Sequence, residues 1–168
     1  MRPKNDALDG GGNNNRSDQG MVLGIGGARA LRGRNISPTV WHINEGHAAF
    51  MILERCRDLH ATGLEFDAAL ELAAANTVFT THTPVPAGHD VFDHELVRRY
   101  FKEKVGALGI TLERFLELGS SPGNQGGFNM TALALRGSRY HNGVSALHGR
   151  IASRLQGDFW PQVRHTDN

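Results

Sequence analysis

The sequence contains 168 residues, of which 39% are hydrophobic and 21% charged, and its formal net charge is +1. This length corresponds to about one domain, and the apolar content is sufficient for a buried core. The near-neutral charge excludes a polybasic surface for nucleic acid or an anionic membrane. The single cysteine, Cys56, excludes an internal disulfide and a cysteine-based zinc site. No apolar run reaches the ~20 residues of a membrane helix, and no secretory signal opens the chain, so we expect a cytoplasmic protein.

The elements follow one another along the whole chain. Residues 1–20 are polar and rich in glycine and asparagine, which predicts a flexible loop or a frayed end. Apolar spacing then predicts helices over 21–34, 46–62, 66–75, 94–105, 111–118, 128–140 and 146–155, with strands over 39–43, 77–81 and 142–145. An extended proline-containing loop is predicted through 84–90, and a glycine-rich loop over 120–127.

Strands that alternate with helices predict an α/β fold with right-handed crossovers and a parallel sheet. Three short strands are few for a complete doubly wound domain, whose sheets usually have about five or six. The sequence therefore predicts a partial Rossmann-like parallel sheet with flanking helices over residues 21–160, between the flexible segment 1–20 and a tail at 161–168.

Polar residues lie at the ends of the first two predicted strands and within the third. The segments are Asn44-Glu45-Gly46-His47, Thr81-His82-Thr83 and Asn142-Gly143-Val144. In open α/β sheets, ligands bind beyond the carboxyl ends of the strands, and amides, carboxylates and imidazoles suit the hydroxyl groups of a sugar. The same residue types also favour strand-to-helix turns as caps, so spacing alone leaves both interpretations open.

The histidines raise a metal site as an alternative. Five of them lie near acidic residues in the sequence: His42, His47, His82, His89 and His94. The helical His-Glu-x-x-His signature is absent, and residues 42–47 miss its inverted version by one place, so we expect no metal site. The glycines at 24–27 resemble a dinucleotide-binding loop but lack its preceding strand, and helix packing is the better interpretation.

Four segments together resemble one family, the α-glucan (glycogen, starch or maltodextrin) phosphorylases, and most closely their shorter bacterial branch. They are LGIGGARAL at 23–31, WHINEGHAAF at 41–50, FTTHTPVPAGHD at 79–90, and the stretch from FNMT at 128–131 to NGVSALHG at 142–149. These segments cover most of residues 21–160 in the order and spacing of the family.

The resemblance implies a GT-B glycosyltransferase, with two Rossmann-like domains and an active site in the cleft between them. It implies reversible phosphorolysis of α-1,4-glucan chain ends by inorganic phosphate, which gives α-D-glucose 1-phosphate with retention of configuration. It also implies pyridoxal phosphate, held as a Schiff base, whose phosphate acts as the acid–base partner of the substrate phosphate. The protein contributes positioning and electrostatics to such a reaction, and the resemblance leaves a homo-oligomeric parent enzyme open.

The resemblance also assigns roles to individual residues. His82 matches the family histidine that contacts the sugar at the cleavage subsite, near its 6-hydroxyl, and we carry it over as the catalytic candidate. The other matched positions are substrate-binding: Asn44, Glu45 and His47 on the β-face of the glucose, and Asn142 and Val144 at its hydroxymethyl end.

The chain departs from the family pattern in two ways. The acidic position of the loop before the first helix falls on Gly12, and the glutamate that follows Gln19 in the family is Gly20. The C-terminal domain, with the cofactor lysine and the phosphate-binding residues, has no counterpart, since Lys4, Lys102 and Lys104 match none of them.

We therefore expect an internal fragment of the N-terminal domain of a phosphorylase. It would supply one wall of the sugar site, bind no cofactor by itself and be inactive alone. The alternatives are a non-catalytic glucan-binding module and, less favoured, a metal-dependent hydrolase built on the histidines.

Overall fold

The computed structural model describes residues 13–82, 89–121 and 126–157, and the following account concerns these residues. Their helices are α1 (Asn13–Met21), α2 (Gly27–Gly33), α3 (Phe50–His60), α4 (Phe66–Ala75), α5 (His94–Phe101), α6 (Leu112–Glu117), α7 (Met130–Arg136) and α8 (Ala146–Gln156). The strands are β1 (Trp41–Asn44), β2 (Thr77–Thr81), β3 (Val91–Asp93), β4 (Gly127–Asn129) and β5 (Tyr140–Gly143). A π-helical turn, Val22–Gly26, joins α1 to α2, and short 3₁₀ turns occupy Gly46–Ala48 and Val105–Leu108.

Three strands form a parallel sheet in the order β1-β2-β5, and helices flank it. The register pairs Asn44 with Thr80 and Thr80 with Asn142, so these three residues form one row across the sheet. The row one step earlier consists of Ile43, Phe79 and His141, and because side chains alternate along a strand it faces the opposite side. The predicted α/β class, with a partial Rossmann-like parallel sheet, is confirmed.

One side of this sheet is packed into the core and the other is open. Ile43 and Phe79 are fully buried, whereas Asn44 and Asn142 are exposed. The core continues into a cluster of aromatic rings, in which Phe101 lies 4.7 Å from Phe115 and Phe115 lies 5.5 Å from Phe128 between centroids. Burial of large apolar side chains is therefore concentrated on the helix-covered side, where it contributes most to stability.

Two predictions near the start of the chain need correction. Residues 13–20, predicted as loop, belong to α1, and residues 21–34 do not form one continuous helix, because the π-helical turn interrupts them. The turn brings Gly24 so close to the start of α3 that a Cβ there would lie 2.7 Å from Met51 N and 2.9 Å from Ala48 O. Close backbone packing thus explains this glycine. The predictions for residues 1–12, for most of the loop at 84–90 and for the tail at 161–168 lie outside the described residues.

The region after α6 differs most from the prediction. The third parallel strand occupies Tyr140–Gly143 rather than 142–145, because Ser145 caps α8 by accepting a hydrogen bond from the backbone N–H of His148 at 3.1 Å. The helix predicted over 128–140 ends at Arg136, before Gly137. Its first residues belong to β4, which pairs antiparallel with β3, and neither of these three-residue strands was predicted.

None of the helices in the described ranges is long and apolar enough to cross a membrane.

Candidate functional site at the carboxyl edge of the sheet

The three parallel strands end at one edge of the sheet, and this edge gathers the polar segments singled out in the sequence. Asn44 and Asn142 flank Thr80 in register. The backbone N–H of Glu45 donates to the Thr80 carbonyl at 2.9 Å, which extends the β1–β2 ladder by one bond. His82 follows β2 directly and is exposed. Asn44, Glu45, His82 and Asn142 therefore lie along a common edge, as the strand-end rule predicts.

A hydrogen-bonded row crosses the open side of the sheet just before this edge. Thr80 Oγ1 donates to Asn142 Oδ1 at 2.8 Å and lies 2.6 Å from His42 Nε2. A hydroxyl has a single proton to donate, so the His42 ring donates its Nε2–H to Thr80. The hydrogen bond from Thr80 therefore fixes the orientation of the Asn142 side-chain amide. His42, considered in the sequence as a metal ligand, is thus a hydrogen-bond partner of the central strand.

Glu45 has an unusual backbone for a non-glycine residue. Its φ of 59° and ψ of −178° lie in a region that L-residues rarely adopt. Its carboxylate reaches across to the neighbouring strand, where Oε1 accepts from the backbone N–H of His82 and lies 3.5 Å from Thr81 Oγ1. The chain leaves the sheet at Glu45 while its side chain stays attached to β2.

His47 lies on the 3₁₀ turn after β1 and joins a second cluster. Its Nδ1 lies 2.9 Å from Asp90 Oδ2, and Arg16 Nη1 donates to Asp90 Oδ1 at 2.9 Å. Only 8% of the Asp90 side chain is exposed, against 60% for His47 and 58% for Arg16. The Asp90 carbonyl also accepts from Met130 N at 2.9 Å, which ties this cluster to α7. The sequence did not predict Asp90 as a partner of His47, because the two residues are 43 positions apart.

Val144 follows β5 and is 51% exposed, so it lies beside Asn142 without being part of the strand. Between them, Gly143 packs against the first turns of α8. A Cβ at Gly143 would lie 2.6 Å from Gly149 N and 2.6 Å from His148 Nδ1. Only glycine permits this approach of strand and helix.

Two further groups near the sheet are not suited to catalysis. Burial raises the pKa of the Cys56 thiol to about 12, so this thiol stays protonated. His141 donates its Nε2–H to the Ser138 carbonyl at 2.9 Å and packs edge-on against Phe79, with 6.4 Å between ring centroids. Desolvation in this position lowers the pKa of His141.

A separate cavity of about 250 Å³ lies between α2, α3 and the end of α5. Glu54, one of several charged residues that line it, has a nearly buried carboxylate that pairs with Arg29 at 2.8 Å, Arg57 at 2.7 Å and Arg32 at 3.1 Å. Arg29 and Arg32 lie on α2, so their pairs with Glu54 join α2 to α3, whereas the Arg57 pair lies within α3. All three pairs are structural. Across 13–82, 89–121 and 126–157, no group of three or more His, Cys, Asp or Glu residues could hold a metal ion.

Comparison with known proteins identifies relatives of this chain, although no family model matches it. The glycogen phosphorylase of Mycobacterium tuberculosis is 41% identical over an alignment of 172 residues, which covers 95% of this chain and 20% of that protein. The maltodextrin phosphorylase of Thermococcus litoralis is 43% identical over 148 residues, covering 88% of this chain and 17% of that protein. The glycogen phosphorylase of Aquifex aeolicus is 33% identical over 141 residues, covering 83% and 20%. The chain spans about one fifth of the length of these curated relatives, and the resemblance drawn from its motifs is confirmed.

Proposed function

We propose, because the chain belongs to the glycogen and maltodextrin phosphorylase family, that the carboxyl edge of its sheet is the glucose-binding wall of a cytoplasmic α-1,4-glucan phosphorylase. The whole enzyme would break the terminal glycosidic bond and join the anomeric carbon to inorganic phosphate, while the phosphate proton passes to the leaving sugar oxygen. The products are α-D-glucose 1-phosphate and a glucan shortened by one unit. Residues 21–160 would be this chain's share of the N-terminal Rossmann-like domain.

The observation that carries the proposal is the convergence of Asn44, Glu45, His82 and Asn142 at the ends of three adjacent parallel strands. Each sugar hydroxyl both donates and accepts a hydrogen bond, and amide and imidazole groups can satisfy both requirements. Asn44 and His82 are exposed and therefore free to meet a ligand from solvent. A row of such groups on rigid strand ends suits an oriented glucosyl ring.

We assign each member of the wall a position relative to the sugar. His82 contacts the glucosyl unit at the cleavage subsite, near the 6-hydroxyl, and is the catalytic candidate. Asn44, Glu45 and His47 form the β-face side, with His47 held by Asp90 through Nδ1 at 2.9 Å. Asn142 and Val144 close on the hydroxymethyl end, and Thr80 orients Asn142 from behind at 2.8 Å.

The cofactor of the family, pyridoxal phosphate, would have to be held by a lysine. The two described lysines do not fit it: Lys102 and Lys104 are exposed beyond the end of α5. Lys104 lines the cavity near Glu54, with its Nζ 5.6 Å from the Phe101 ring centroid. We therefore derive no step through the cofactor, and we propose that the rest of a phosphorylase supplies both the cofactor and the phosphate-binding groups, so that this chain is inactive alone.

The binding wall is tested by titrating the chain with maltoheptaose. Calorimetry measures the affinity, and NMR chemical shifts of the backbone amides locate the binding surface. We expect shifts concentrated at residues 44–47, 82 and 142–144. The substitution Asn44→Ala should weaken binding about fivefold or more, since a lost hydrogen bond to a ligand costs about 1 kcal/mol or more. The matched control is Asn35→Gly, which changes an exposed asparagine at positive φ outside the edge and should leave binding unchanged. Shifts confined to other surfaces would contradict the proposal.

The proposed inactivity of this chain alone is tested by an activity assay on the same chain. With maltoheptaose, inorganic phosphate and pyridoxal phosphate present, it should release no α-D-glucose 1-phosphate. Sustained release would show that the chain carries a complete active site.

A further inference from the structure

We infer that Glu45 is a positioning residue that acts through the backbone of His82 rather than a group that binds the sugar itself. The inference rests on the proposed function, in which His82 meets the glucosyl unit. It replaces the direct substrate contact that family resemblance assigns to Glu45.

The hydrogen-bond ladder between β1 and β2 supports this role. In a parallel ladder, a residue donates its N–H to one strand neighbour and accepts, at its carbonyl, from the residue two places further on. Glu45 donates to the Thr80 carbonyl at 2.9 Å, so the N–H of His82 is the next donor in the sequence of bonds. That N–H donates to Glu45 Oε1. The Glu45 carboxylate thus takes the place that the Glu45 carbonyl would occupy as the next acceptor of the ladder.

The backbone of Glu45 shows why the side chain takes over. Its φ of 59° turns the chain out of the sheet into the 3₁₀ turn that follows. The next residue, Gly46, packs so closely on α7 that a Cβ there would lie 2.9 Å from the Met130 Cβ. The turn is therefore fixed on both sides of the strained residue. Strain of this kind persists only where the surroundings determine the conformation, and it is concentrated at functional sites.

The consequence is that the carboxyl end of β2 is held in place. A carboxylate that accepts from a backbone N–H makes a charge-assisted bond, which is stronger than a neutral one. The contact of Glu45 with Thr81 Oγ1 at 3.5 Å adds a second point on the same strand. Without the Glu45 carboxylate, the N–H of His82 would lose its acceptor on the β1 side, and the backbone that carries the His82 ring would be held less firmly at the edge.

The experiment measures hydrogen exchange at the His82 amide by NMR in the 168-residue chain, without any sugar. Glu45→Ala and Glu45→Gly both remove the acceptor, and we expect the His82 amide to exchange roughly tenfold faster in each, as for the loss of one hydrogen bond. Glu45→Gln keeps an oxygen at the same place and should retain most of the protection. The matched control is Glu103→Ala, an exposed glutamate outside the edge, which should change nothing at His82. The glycine variant relieves the positive φ, so it carries the test if the alanine variant does not fold.

Unchanged exchange at His82 in both the alanine and the glycine variant would overturn the inference. A maltoheptaose titration separates positioning from direct contact: Glu45→Gln should bind like the parent chain, and Glu45→Ala should bind more weakly. Loss of affinity in Glu45→Gln with a protected His82 amide would also overturn it. The exchange measurement needs no ligand. It therefore tests the positioning role of Glu45 even if the chain does not bind the glucan.

Discussion

Two adjacent rows of residues cross the same three strands, and they differ in what determines them. The row of Ile43, Phe79 and His141 faces the helices, where the first two side chains are fully buried. The row of Asn44, Thr80 and Asn142 is one residue further on and faces the open side. In the row of Ile43 and Phe79, side-chain volume and burial determine which residues fit. In the row of Asn44, Thr80 and Asn142, the direction of the hydrogen bonds determines them. A shift of one position along a strand thus separates the residues that stabilise the sheet from those that can serve a ligand.

The largest expected effect compares the stability supplied by the two faces of β2. Phe79→Ala should lower the free energy of unfolding by about 3–5 kcal/mol, because it removes a large, fully buried ring and leaves a cavity. Its neighbour Val78 faces the open side and is only partly buried, so Val78→Ala should cost less than about 1.5 kcal/mol. Urea denaturation of both variants measures the difference, and equal losses would remove the distinction between the two sides.

A second test extends the comparison to the helices beneath the covered side. Gly24→Ala should destabilise the chain by about 1–3 kcal/mol, because the added Cβ would meet the backbone of α3. Gly27→Ala is the matched variant. Gly27 has helical φ and ψ, and a Cβ added there would meet no atom within 4 Å, so the variant should stabilise the chain by about 0.5–1 kcal/mol. Thermal unfolding gives both signs, and a stabilising Gly24→Ala would show that the helices do not fit as closely as described.

The smallest effect concerns His141, which shares a row with Ile43 and Phe79; the residue is exposed overall, while its ring packs against Phe79. Desolvation lowers the pKa of His141, so between its folded and unfolded pKa values the unfolded chain binds more protons. Stability from this histidine should therefore be present above its ordinary pKa of about 6.5 and be lost as the pH falls below it. The urea midpoint measured from pH 8 to pH 5 should fall less steeply in His141→Leu than in the parent chain. Identical pH dependence would show that the ring is not desolvated at this position.

Local sequence patterns predicted much of the fold, since β2 lies at 77–81 and α4 at 66–75 as expected. Both have strong apolar patterns and clear ends. The patterns failed for β3 and β4, because three residues are too few to show alternation and their pairing joins segments more than 30 residues apart. They also placed β5 two residues late, since Tyr140 was assigned to the preceding helix and Ser145, which caps α8, was assigned to the strand.

The candidate site was predictable where it follows from strand ends and unpredictable where it depends on tertiary contacts. The strand-end rule correctly grouped Asn44, Glu45, His82 and Asn142. It could not show that Asp90 holds His47, because that contact requires the folded chain. A glutamate at positive φ with extended ψ also has no signature in the sequence, since glycine is the residue expected in that conformation. The roles proposed for these residues in sugar binding stay predictions.

Gly143 has a mechanical consequence. Because Gly143 has no side chain, the end of β5 packs against the first turns of α8, at the Gly149 backbone and the His148 ring. The hydroxymethyl side of the proposed pocket is therefore supported by a helix of 11 residues, about 16 Å long. Movement of the strand end at Asn142 toward α8 would bring Gly143 into contact with this helix. Whatever holds the far end of α8 in place therefore sets how firmly this side of the pocket closes.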